Sequence, residues 1–267
     1  MELLVVGAGE MGRWVADTVL ADDATDATVA FADQDHELAV EAARSRRDAV
    51  GDDSRAGDVT AVDPGTDRTF DVVCLAVPMS AVPAAVETYA PRCTHAMVDV
   101  SGEMTDAIAA MRDHVPDRER ASYHPLFAPP RVPGNVAVVV DESGPHVDRL
   151  TRAIEIGGND VFETTAAEHD DAMETVQAGA HAAILAWRLA GETVREEFHT
   201  PVSEALDEIA DTVTEGSPAV YAEIQAAFDG ADEVAEAAGE IADADPERFA
   251  ELYERARGDR GQRDRHE

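Results

Sequence analysis

A strand buried on both faces that runs straight into three spaced glycines and then a helix can belong to few folds, and this chain opens that way. Glu2-Leu3-Leu4-Val5-Val6 is nearly continuous in apolar residues, as a parallel strand covered on both sides requires. It ends in Gly7-Ala8-Gly9-Glu10-Met11-Gly12, after which Met11, Trp14, Val15, Thr18 and Val19 recur at helical spacing. In this order Gly7 allows the tight turn, Gly9 lets a pyrophosphate approach the backbone, and Gly12 lets helix and strand pack closely. The helix N-terminus, at Glu10 and Met11, turns unpaired N–H groups toward the phosphates. The pattern predicts a dinucleotide-binding turn.

A second strand, Thr28 to Ala32, ends in Asp33, which lies 21 residues beyond Gly12. A carboxylate there accepts the ribose hydroxyls of NAD. Asp35 follows and no Arg sits beside the pair, so the 2′-phosphate of NADP would meet repulsion; the predicted cofactor is NAD. Further strands read at Asp71–Val77, closed by Pro78, at Ala96–Val100, ending at Ser101, near Ala121–Tyr123, leading into His124-Pro125, and at Val136–Val140. Ligands in open α/β sheets sit at the carboxyl ends of the strands, so the 77–80 loop with Pro78 and the 101–103 loop with Ser101 should line the cofactor cleft. The alternation predicts an α/β fold, a Rossmann-type doubly wound parallel sheet over residues 1–165.

Strand signals stop near Ala166. A long helix is expected over Ala167 to about Glu197, with His169, Met173, Gln177 and His181 in one i+4 row. Helices follow at about 201–213, 217–229, 231–242 and 246–257, so residues 166–257 should form an all-α domain that contacts substrate and dimerises. Residues 258–267 are charged and poor in apolar side chains, and are expected to be disordered. The net charge is -35, from 56 Asp and Glu against 21 cations, all of them Arg. Such a surface opposes nucleic acid, which needs basic residues to replace counterions, and opposes anionic membranes. Self-repulsion at this density predicts a protein made for high salt. No apolar run reaches the roughly 18 residues of a membrane span, and the N-terminus lacks a basic, signal-like segment. Cys74 and Cys93 have no metal-ligand spacing, which fits free thiols in a reducing, cytoplasmic setting.

GAGEMG at 7–12, LAVP at 75–78, VDVSGEM at 98–104, HPLFAPP at 124–130, EHDDAMETVQAGAH at 168–181 and SPAVYAEI at 217–224 together resemble the prephenate dehydrogenases. That family oxidises and decarboxylates prephenate to 4-hydroxyphenylpyruvate in tyrosine biosynthesis. The resemblance implies that His124 is the catalytic histidine near the substrate 4-hydroxyl, and that Gln177 and His181 contact substrate. Where many members carry Ser the chain has Gly102, with the hydroxyl one residue earlier on Ser101, which is the second candidate catalytic residue beside His124. The Arg that usually precedes the SPxxY-like segment is absent from 211–214, and Arg131 is the best replacement as a carboxylate partner. His169-Asp170 reads as a helix start or interdomain contact. Arogenate is the nearest alternative substrate, followed by another two-domain NAD(P)-dependent dehydrogenase; rivals built on a catalytic Lys are largely excluded, since the chain has none. A non-catalytic NAD-sensing module is the alternative of a different class.

Overall fold

The computed structural model describes residues 1–22, 26–50, 59–128, 131–192 and 194–258. It divides into two units, Met1–Asp171 and Ala172–Glu267. Residues 259–267, most of the expected disordered tail, lie outside the described residues.

In the first unit the elements follow as β1 (Glu2–Val6), α1 (Glu10–Ala21), β2 (Thr28–Ala32), α2 (His36–Val50), β3 (Val59–Ala61) and β4 (Phe70–Leu75). They continue as α3 (Val82–Tyr89), β5 (Cys93–Asp99), α4 (Thr105–His114), β6 (Glu119–Pro125), β7 (Asn135–Glu142), α5 (Pro145–Ile156), β8 (Asp160–Glu163) and α6 (Ala166–Met173), whose last two residues belong to the second unit. The strands form one eight-stranded sheet in the order β3-β2-β1-β4-β5-β6-β7-β8. The strand order reverses between β1 and β4, which pair parallel; this is the switch point at which such sheets bind ligands.

Every pairing is parallel except β6 with β7. The β6–β7 connection, residues 126–134, is shorter than the dozen or so residues a parallel crossover needs. The chain therefore folds straight back, with Ser122 opposite Val139 and His124 opposite Ala137. Period-2 alternation divides each inner strand between two cores. Leu3 and Val5 pack with Trp14, Val15 and Leu150 on one face, whereas Leu4 and Val6 pack with Val82, Val86 and Ile108 on the other. Helices on both faces make the sheet doubly wound.

The second unit is helical. After the end of α6 the chain passes through a π-helical turn, Glu174–Gly179, into α7 (Ala180–Ala190), followed by α8 (Pro201–Thr214), α9 (Pro218–Ala227), α10 (Gly230–Asp243) and α11 (Pro246–Gly258). The single helix expected to about Glu197 is thus interrupted and stops early. A Cβ on Gly179 would stand 3.3 Å from the Gly230 carbonyl, and one on Gly230 would collide with Glu174. This glycine pair lets α10 press onto the wide turn. The Gln225 amide donates to the Ala178 carbonyl at 2.9 Å, satisfying a group the turn releases. Gly191 caps the C-terminus of α7, its N–H donating to the Trp187 carbonyl.

Candidate active site

The glycine turn is built as its spacing predicts. Gly7 has φ +101°, and a Cβ there would lie 2.2 Å from the Ala76 carbonyl oxygen on β4's exit. A Cβ on Gly12 would lie 2.0 Å from the Gly7 carbonyl, whereas one on Gly9 would meet nothing within 4 Å. Two glycines are therefore demanded by the protein's own backbone, and the third fronts open space. Gly9 is the N-cap of α1 and supplies no side-chain cap, so the helix presents N–H groups from Glu10 and Met11 where a phosphate could accept them. Glu10 is exposed and Met11 partly so.

Asp33 stands at the carboxyl end of β2. Its Oδ2 accepts from the Ala8 N–H at 2.8 Å and its Oδ1 from the Asp35 N–H at 2.9 Å. These bonds lock the carboxylate beside the glycine turn while leaving it further acceptor sites. An open glycine turn, a helix N-terminus and an oriented carboxylate fit a dinucleotide with unmodified ribose hydroxyls. Pro78 is exposed at the carboxyl end of β4, one residue before Met79.

At the carboxyl ends of β5 and β6 is a buried polar cluster. His124 lies on β6 with its Nδ1 2.9 Å from Nε2 of His169 on α6. Nδ1 of His169 is 2.8 Å from Oδ1 of Asp170. Asp170 in turn accepts from the Met104 and Thr105 N–H groups at 3.1 and 3.0 Å and from the Thr105 hydroxyl at 2.5 Å. The carboxylate thereby caps α4 and holds His169 at the same time. Burial, reinforced by the His169 ring, pushes His124 down to about 3. Burial alone would raise Asp170, but its hydrogen bonds from His169, Thr105 and Met104 outweigh that and lower it. The cluster is thus a neutral imidazole backed by a second imidazole and an ionised carboxylate.

Ser101 does not bond to His124. Its hydroxyl lies 2.5 Å from Oδ2 of the fully buried Asp99 and 3.0 Å from the Glu103 carbonyl. Burial raises Asp99 to about 6 against the pull of these bonds. Position 102 is the one that faces the histidine: a Cβ on Gly102 would stand 3.5 Å from His124 Nε2 and 2.9 Å from the Met79 sulfur. Arg131 is exposed on the β6–β7 connection, its N–H donating to the Ala128 carbonyl at 2.8 Å.

Within the second unit, the π-helical turn carries Gln177 and His181 off a straight i+4 row with Met173. The His181 ring meets Tyr221 edge-on, with centroids 4.7 Å apart, and burial lowers its pKa. Tyr221 belongs to the SPAVY segment, so two of the stretches that carry the family resemblance touch each other. The sequence reads His169-Asp170 as a helix start or interdomain contact, whereas the pair sits against His124 and caps α4; Asp99 was not singled out. The available signal was chemical: a His-Asp pair and a lone acid in otherwise apolar surroundings.

No family model matches the chain. It is 32% identical over 207 residues to the 4-amino-4-deoxyprephenate dehydrogenase of Streptomyces pristinaespiralis, covering 70% of each protein. Its fold is similar to that of prephenate dehydrogenase from Aquifex aeolicus, crystallised with hydroxyphenyl propionate and NAD+, at a TM-score of 0.69 and 14% identity over 98% of each chain. It is also similar in fold to Synechocystis arogenate dehydrogenase, with a TM-score of 0.60 and 17% identity over 98% of this chain and 99% of that one. On the strength of the Streptomyces relative, and in agreement with the glycine turn and the buried histidine, the chain belongs to the prephenate dehydrogenase family.

Proposed function

We propose that this protein is an NAD-dependent dehydrogenase that converts prephenate to 4-hydroxyphenylpyruvate with loss of CO₂, serving tyrosine biosynthesis in the cytoplasm. The observation that carries the reading is the neutral His124 imidazole at the carboxyl edge of the same sheet that bears the glycine turn. Prephenate has a hydroxyl at C4 and a carboxylate at C1 of a cyclohexadiene ring. Bound NAD supplies the hydride acceptor. Gly9, Glu10, Met11 and Asp33 are the residues that would hold it, with Pro78 beside them at the strand ends.

The chain's own part is acid–base chemistry and orientation. His124 takes the 4-hydroxyl proton as the C4–H bond breaks with loss of hydride, so that a carbonyl forms at C4. The bonding pair of the departing CO₂ then moves through the ring to that oxygen, which regains the proton from His124 as the phenol. Aromatisation drives the step. A base in a water-poor setting suits this, since a neutral imidazole is ready to accept without first losing a proton. Ser101 is assigned to fixing Asp99 and the β5 exit rather than to touching His124. Gln177 and His181 are assigned to the substrate, and Arg131 to one of its carboxylates.

A C4 amine in place of the hydroxyl is a second reading. It is favoured by the name of the Streptomyces relative and by Gly102, which leaves the space beside His124 without a hydroxyl. Purified protein with NAD and, in turn, prephenate, arogenate and 4-amino-4-deoxyprephenate separates the readings by NADH absorbance. The highest kcat/KM is expected with prephenate. A preference of tenfold or more for the amine at C4 would replace the first reading with the second. Tight NAD binding with no turnover of any of the three would indicate a sensor.

A further inference from the structure

We infer that His169 and Asp170 are positioning residues that set the tautomer of His124 and receive the charge of the proton it abstracts. The inference rests on the assignment of His124 as the base. Three distances carry it: His124 Nδ1 to His169 Nε2 at 2.9 Å, His169 Nδ1 to Asp170 Oδ1 at 2.8 Å, and the Thr105 hydroxyl to Asp170 Oδ2 at 2.5 Å.

An ionised carboxylate only accepts hydrogen bonds. Asp170 is further fixed as an acceptor by two backbone N–H groups at the start of α4, where helix polarity favours negative charge. His169 Nδ1 must therefore donate to it. In the neutral ring His169 Nε2 is then the acceptor, and the proton between the two rings belongs to His124 Nδ1. That leaves His124 Nε2, the nitrogen nearest position 102, as the acceptor required of a base. The logic is that of a serine hydrolase triad, in which a buried carboxylate orients a histidine and steadies its charged form. Here a second imidazole stands between them.

The proton balance is simple. The substrate O–H bond breaks as His124 Nε2–H forms, and His124 Nδ1–H breaks as His169 Nε2–H forms. His124 ends neutral in its other tautomer, and the positive charge lies on His169 against the Asp170 carboxylate. This resolves how a ring so deeply buried can serve as a base, since it need not keep the charge it collects. As CO₂ departs, the C1–carboxylate bonding pair moves through the ring onto the C4 oxygen, and the reverse shuttle returns the proton through His124 Nε2 to that oxygen, giving the phenol of the product. The other acidic groups about the cluster are Asp99, which interacts with His169, and Glu103, whose carboxyl is raised by burial and by the neighbouring Asp170 and Asp106. Their charge adds to the negative field on His169.

The test uses the full chain with ¹⁵N-labelled histidine, and the variants Asp170→Asn and His169→Gln. Two-bond ring correlations at neutral pH, without substrate, should show His124 as the Nδ1–H tautomer, and Asp170→Asn should erode that preference. With NAD and prephenate, each folded variant should lose roughly 10²-fold in kcat with KM changed less than about threefold. The acid limb of the Asp170→Asn rate profile should move to lower pH, because the carboxylate no longer favours the charged relay. A merely structural role would move neither tautomer nor profile. An Nε2–H tautomer of His124 in the native protein, or an undiminished kcat in either folded variant, overturns the inference. If the native protein turns over no prephenate, the functional reading fails and the tautomer measurement still decides the relay. Should one variant not fold, the other and the native spectrum decide it.

Discussion

His124 is a buried histidine held neutral, and that has consequences for both rate and stability. His124→Asn keeps a polar side chain of similar reach but removes the base; kcat should fall roughly 10²–10⁴-fold with KM largely kept, and near-normal turnover would refute the assignment. The folded pKa lies at about 3, below the unfolded value near 6.5, so the unfolded chain takes up a proton the native one refuses. That contribution to stability is present above about pH 6.5 and is lost as pH falls, by up to about 2 kcal/mol at pH 5. Asp99, raised to about 6, works the other way below that pH. Denaturant unfolding at pH 7 and pH 5 should therefore show a steeper loss in the native protein than in His124→Asn, and equal slopes would contradict the burial argument. The positions of His124 and Asp33 at strand ends were legible in the sequence, because strand periodicity places them. The partners of His124 were not. Spacing along the chain says nothing of what His169 meets, and only the tertiary fold brings α6 to the end of β6.

At the scale of elements, the glycine turn separates what the fold needs from what a ligand needs. Gly7→Ala and Gly12→Ala place a Cβ about 2 Å from backbone oxygens, so both should lower the melting temperature and abolish cofactor binding. Gly9→Ala meets no protein atom within 4 Å. It should melt within a degree or two of the native protein yet bind NAD about tenfold or more weakly, as calorimetry would read; unaltered binding would remove the phosphate from this turn. The early strands β1 and β2 were visible from unbroken apolar runs. The short edge strands β3 and β8 were not, because three or four residues on a sheet margin carry little periodic signal. The π-helical turn was also hidden. It depends on Gly179 meeting Gly230 and on Gln225 reaching the Ala178 carbonyl, contacts no local pattern announces.

For the whole molecule the dominant quantity is charge. With a net charge of -35, repulsion opposes compaction, and at about 1 M salt the screening length shrinks to roughly 3 Å. The unfolding temperature should therefore rise steeply from dilute buffer to molar KCl; full stability without salt would contradict this. The helical unit also leaves large apolar side chains in the open, among them Leu189 at 84% exposure and Phe198 at 66%. We propose that this unit pairs with a second copy of the chain; light scattering should then report twice the mass of 28.5 kDa, and a monomer mass would contradict the proposal. The central claim is that a histidine-assisted hydride loss from C4 is coupled to decarboxylation. The direct measurement is the ratio of NADH formed to CO₂ released when the protein in high salt is given NAD and prephenate. One CO₂ per NADH, with both lost together in His124→Asn, is the predicted result; NADH without CO₂, or neither, would contradict it.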